Sequence, residues 1–120
     1  MLIGFQLNTD GTFRKFHMSR DAFVISQAID CDFIEIVRPV GYYPCVLVID
    51  DSGRLKDKPV NKLASLIYGI KRHGEPIVGD ALLLKEGMFN GEPDLMSLDV
   101  EDLIIWQMRL KELQKETLDD

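Results

Sequence analysis

Two apolar runs, Phe33-Ile34-Glu35-Ile36-Val37 and Cys45-Val46-Leu47-Val48-Ile49, decide the fold class. Both are rich in β-branched and apolar residues, which suit a pleated, packed surface. Pro39 and Gly41 interrupt the chain between them, so they read as two neighbouring central strands of one sheet. Asp50-Asp51-Ser52-Gly53 follows as a turn. It lacks the regular oxygen ligands and distal glutamate of an EF-hand loop, so no metal site is predicted there.

Working towards the N-terminus, Ile3, Phe5 and Leu7 alternate on one face of a strand. Asp10-Gly11 supplies the turn chemistry of a hairpin, and Thr12 to Met18 returns as the second strand. Ser19 is placed to cap a short helix, with Asp21 in its first turn and Ala22, Ile25 and Ile29 as its apolar stripe.

Towards the C-terminus, Asn61 is a natural cap for a helix over Lys62 to Tyr68, which Gly69 should end. Pro76 to Leu84 reads as a strand with a bend at Gly79, and a polar loop containing Gly87, Gly91 and Pro93 then leads to a last helix starting near Ser97 or Asp99. That helix carries Leu103, Trp106, Leu110 and Leu113 at spacings of three and four residues, the pattern of a helix laid along an apolar partner. The partner is either the chain's own sheet or a second copy. At ~1.5 Å per residue the helix would be ~30 Å long and its end would overhang a small domain.

The order β-β-α-β-β-α-β-α predicts a single α+β domain over residues 1–120, with a mostly antiparallel sheet, helices against one face and a long C-terminal helix. Hydrophobic residues at 46% and charged residues at 28% allow both a core and solubility, and they exclude disorder and collagen-like repeats. Fourteen Lys and Arg against twenty Asp and Glu give a formal charge of -6, which disfavours a general nucleic-acid or anionic-membrane partner. Cys31 and Cys45 form no Cys-x-x-Cys or disulfide framework, and no apolar run approaches a membrane span. With no signal-peptide pattern at the start, the expectation is a protein of the reducing cytoplasm.

The blocks Ile34-Glu35-Ile36-Val37-Arg38-Pro39 and Leu47 to Leu55, the run Asn61-Lys62-Leu63-Ala64-Ser65-Leu66-Ile67-Tyr68-Gly69, and His73-Gly74-Glu75-Pro76-Ile77-Val78-Gly79-Asp80-Ala81-Leu82 together carry a family likeness. They resemble a domain-of-unknown-function family of small proteins carried by phages, plasmids and conjugative elements of Gram-positive bacteria. The resemblance implies a mobile-element origin and a cytoplasmic role in a bacterial host. It brings no established activity, cofactor or catalytic residue.

Charge is distributed unevenly. Between Arg54 and His73 six basic residues against Asp57 leave +5, whereas from Asp99 onward seven acids against three bases leave -4. Asn61, Lys62, Lys71 and Arg72, with Asp80 nearby, make a candidate site for a small anionic ligand such as a nucleotide at the start of the Asn61 helix. No glycine-rich phosphate loop accompanies it, so a solvated basic face with a structural cap competes. Ser65, His73 and Asp80 have the residue types of a hydrolytic triad, but no nucleophile elbow frames Ser65. His17 has no second histidine at metal-ligand spacing, and neither cysteine is placed to ionise. Tyr42-Tyr43, between Gly41 and Pro44, are a candidate aromatic lip for a partner. These readings point to an accessory protein that binds a host protein and does not catalyse, with interference with host defence as one form. The candidate contacts are Tyr42, Tyr43, Leu103, Trp106, Leu110 and Leu113, the last four also serving a homodimer.

Overall fold

The computed structural model describes residues 1–69 and 74–118. The first hairpin pairs β1 (Leu2–Leu7) with β2 (Phe13–Met18), in register from Leu2 opposite Met18 to Leu7 opposite Phe13. Its turn closes through bonds from the Asn8 N–H to Thr12 O and from the Gly11 N–H to Asn8 O, with Gly11 at a φ of 89°. α1 (Ala22–Ala28) is capped by Asp21, whose carboxylate accepts from the Phe23 and Val24 N–H groups. Ser19 instead accepts from the Asp21 N–H, so the expected cap lies two residues early.

β3 (Ile34–Val37) and β4 (Cys45–Asp50) form the expected antiparallel neighbours. Next come α2 (Lys62–Tyr68), β5 (Ala81–Phe89), β6 (Glu92–Met96) and α3 (Val100–Leu118). Six strands make one antiparallel sheet in the order β2-β1-β5-β4-β3, with β6 also paired to β5. β5 holds three partners along its length: β1 at Ala81–Leu83, β4 at Leu82–Lys85 and β6 at Lys85–Phe89.

The α+β class and the antiparallel sheet are as the sequence predicts, with three corrections. The polar loop around Gly87 and Pro93 is the β5–β6 hairpin, turned at Asn90-Gly91, where φ values of 51° and 81° give the left-handed turn that short hairpins favour. β3 is an edge strand of four residues, and only β4 is central. The helices also divide between the two faces. Leu63, Ala64 and Ile67 of α2 and Trp106 and Leu110 of α3 pack with Phe5, Leu7, Leu47 and Leu83. Ile25 of α1 and Ile29, just beyond its end, pack with Leu2, Val46, Val48, Leu82 and Leu84. β4 and β5 are apolar on both sides, and such strands require cover on both.

Candidate functional site

α2 sits where it does because of Asn61, which is 0% exposed. Its Oδ1 accepts the Ala64 N–H at 3.0 Å, and its Nδ2 donates to Leu7 O at 2.9 Å and Gly79 O at 3.0 Å. One side chain therefore joins the helix start, β1 and the approach to β5. Asp80 accepts the Thr9 N–H at 3.0 Å. Ser65 Oγ accepts the Ile77 N–H at 2.9 Å and donates to Ile77 O, within a buried site. The three polar side chains of the ligand and triad readings are thus bonded into the scaffold, while Lys71, Arg72 and His73 lie outside the described residues.

The basic stretch is also engaged with the chain itself. The Asp50 side chain, 1% exposed, takes the Lys58 ammonium at 2.8 Å and the Lys56 ammonium at 3.1 Å. Burial by itself raises the Asp50 carboxyl, but the Lys58 bond, the Ser52 N–H and the Lys56 bond outweigh it and hold the group below its ordinary range. Lys58 also donates to the carbonyls of Ile29 and Asp30, tying the loop before α2 to the end of α1. Arg54 pairs with Glu75 and donates to Pro76 O. Lys62 borders a hollow of about 410 Å³ shared by the first hairpin turn and the end of α3.

Sequence reasoning missed a second hollow, of about 280 Å³, beside Arg54, Glu75, Tyr68, Glu35 and Asp51. At its edge, burial, a hydrogen bond to Asp51 and the charge of Asp51 push the Glu35 carboxyl up. Cys31 and Cys45 are both buried, and burial leads the causes that push both thiols up, ahead of the acidic neighbours of Cys31. His17 is exposed on β2, an edge strand. Among the described residues no group of His, Cys, Asp or Glu could hold a metal. None of their helices is long and apolar enough to cross a membrane.

The most built surface lies where α3 passes the segment between β3 and β4. Tyr42 is half-buried against Trp106, with ring centroids 5.1 Å apart and planes inclined at 57°. The Arg109 guanidinium lies over both rings, 5.2 Å from Tyr42 and 5.1 Å from Trp106. Tyr42, Trp106, Met108, Arg109 and Leu113 line a groove of about 560 Å³ edged by Lys111, Glu112 and Lys115. Tyr43, 79% exposed, turns away towards Met88 and Pro93, so the two tyrosines do not form one lip.

The stripe of the last helix requires a correction too. Trp106 and Leu110 are 2% and 0% exposed, and Leu103 and Leu113 pack against the same core. These four pack onto the chain's own sheet and α2, so the stripe is not a free face for a second copy, and of the four Trp106 and Leu113 also border the groove. The helix end does not overhang at Gln114, whose Nε2 donates to Gly11 O of the first hairpin at 3.0 Å. What α3 does expose is a second apolar strip, Val100, Ile104, Ile105 and Met108. Its four-residue spacing was readable in the sequence once the inward stripe was set aside.

A family model for a domain of unknown function, DUF3846, matches residues 10–110. The chain belongs to the DUF3846 family. The match takes in every described element except β1 and the end of α3, and extends well beyond the motifs between Phe33 and Gly87. No curated protein matches this DUF3846 chain. Its fold is similar to part of the crystal structure of small RNA methyltransferase HEN1, with a TM-score of 0.54 and 19% identity over 84% of this chain. The DUF3846 chain spans 15% of the length of that methyltransferase chain, and at this identity the likeness is one of fold alone.

Proposed function

We propose that this DUF3846 protein works by binding another protein at the Tyr42–Trp106–Arg109 groove, without catalysing a reaction. The observation that carries the reading is the stacking of Arg109 over two aromatic rings brought together from separate parts of the chain. Tyr, Trp and Arg are enriched among the few residues that dominate binding energy at protein interfaces, and side chains already held in place lose little conformational entropy on binding. The groove edge carries Arg109, Lys111 and Lys115 against Glu112, a local excess of positive charge on a chain of net charge -6. A partner segment with an apolar anchor and acidic flanks fits that edge. The likeness to proteins of phages, plasmids and conjugative elements supports a partner in the cytoplasm of a bacterial host, with a component of host defence as one candidate.

The test places a photo-crosslinking residue at Met108 and expresses the protein in the host. A discrete adduct to a different chain, told by its mass from an adduct between two copies of this one, is expected to disappear in Arg109→Glu, with the fold checked by circular dichroism. An adduct equally strong in Arg109→Glu and Tyr42→Ala, or no adduct at all, overturns the reading. The small-anion reading gains no support from the geometry, since the Asn61 side chain is already bonded through both its oxygen and its nitrogen.

A further inference from the structure

The outer face of α3, which shares Met108, Lys111 and Lys115 with the groove edge, points to an occupant besides the one proposed for the groove. Val100, Ile104, Ile105 and Met108 are 73%, 59%, 44% and 65% exposed, although α3 already buries its inner stripe. With about 3.6 residues per turn, Val100, Ile104 and Met108 stand in one row, which continues into Lys111 and Lys115. Glu101 flanks the other end of that row. The neighbouring acids are engaged: Asp102 in the first turn and Asp99 just before it both take the Lys85 ammonium, at 2.8 and 3.3 Å. Among the described residues neither Glu101 nor Lys111 makes an ion pair, and both are exposed.

We infer that this face binds a second copy of itself, with the two α3 helices antiparallel across a twofold axis. A twofold interface is self-complementary, so each contact occurs twice. In the register that sets Ile104 against Met108 of the second copy, Glu101 falls opposite Lys111 of that copy, with Lys115 one turn further on. Ile104 and Met108 then make an apolar centre closed at both ends by opposite charges, with Val100 at its rim. A parallel pairing would set Glu101 against Glu101 and Lys111 against Lys111, so the charges select the antiparallel arrangement.

Sedimentation equilibrium on the full chain tests this, independently of partner capture at the groove. The unaltered protein is expected at twice the mass of the chain. Ile104→Glu, at a side chain outside the core, should give a folded monomer. Glu101→Lys alone and Lys111→Glu alone should each weaken the dimer roughly tenfold, and the double exchange should restore it, because the charges again oppose one another. A monomer at every accessible concentration, a dimer indifferent to Ile104→Glu, or a double exchange that fails to restore association overturns the inference. Because Met108, Lys111 and Lys115 also border the groove, an adduct there is told from the dimer by the mass of the crosslinked chain, and its presence or absence does not bear on these results.

Discussion

Asn61 and Asp50 are buried polar residues that each tie irregular backbone to the sheet and helices. Asn61→Ala removes the cap of α2 and leaves Leu7 O and Gly79 O without their buried donor. The expected cost is about 2–4 kcal/mol in urea-induced unfolding, more than a cap alone would give. Asn61→Asp keeps the acceptor but loses both donated bonds, so it should recover only part of that. Asp50→Ala strands Lys56 and Lys58 against a buried strand end, at about 3 kcal/mol near neutral pH. The sign with pH follows from the depressed Asp50 carboxyl. Its contribution is complete above the ordinary value of 3.8 and is lost as pH falls through the lower folded value. Unfolding curves of Asp50→Asn and the unaltered protein should therefore converge as pH drops below about 4.

At the scale of the element, α3 shows what periodicity can and cannot tell. Leu110→Ala should cost about 2–5 kcal/mol because it empties a fully enclosed site. Ile104→Ala, on the opposite side of the same helix, should leave the folded chain's secondary structure unchanged, as read by circular dichroism. Both residues belong to apolar stripes in the sequence, and only the tertiary contacts say which stripe is inward. The Asn61 cap, the Gly69 stop and the Asp10-Gly11 turn were legible because each rests on chemistry within a few residues. β6 was not, because Glu92, Pro93 and Asp94 disfavour a strand and their pairing with β5 is supplied by the hairpin. The groove was half legible: Tyr42 and Trp106 could each be singled out, but nothing local joins residues so far apart to Arg109. Close packing inside the sheet has its own test. A Cβ at Gly4 would collide with Leu83 O and the Leu84 side chain, so Gly4→Ala should destabilise by about 1–3 kcal/mol despite its small size.

At the scale of the whole molecule, β5 is the strand to which the others are tied. Its middle amides, bonded on both sides and closed from water by helices on both faces, should be the last to exchange in deuterium. The edge strands β2 and β3 should exchange earlier, and a β3 that outlasts β5 would contradict this organisation. The same arrangement fixes an order in time. β1 leaves the ribosome before the other strands, yet its sheet partner at Ala81–Leu83 follows more than seventy residues later. Until then Phe5 and Leu7 have only β2 beside them, and such long-range pairing slows folding. A nascent or prematurely ended chain lacking β5 consequently carries an uncovered hydrophobic hairpin, a substrate for chaperones and proteases before it is a protein with a surface of its own.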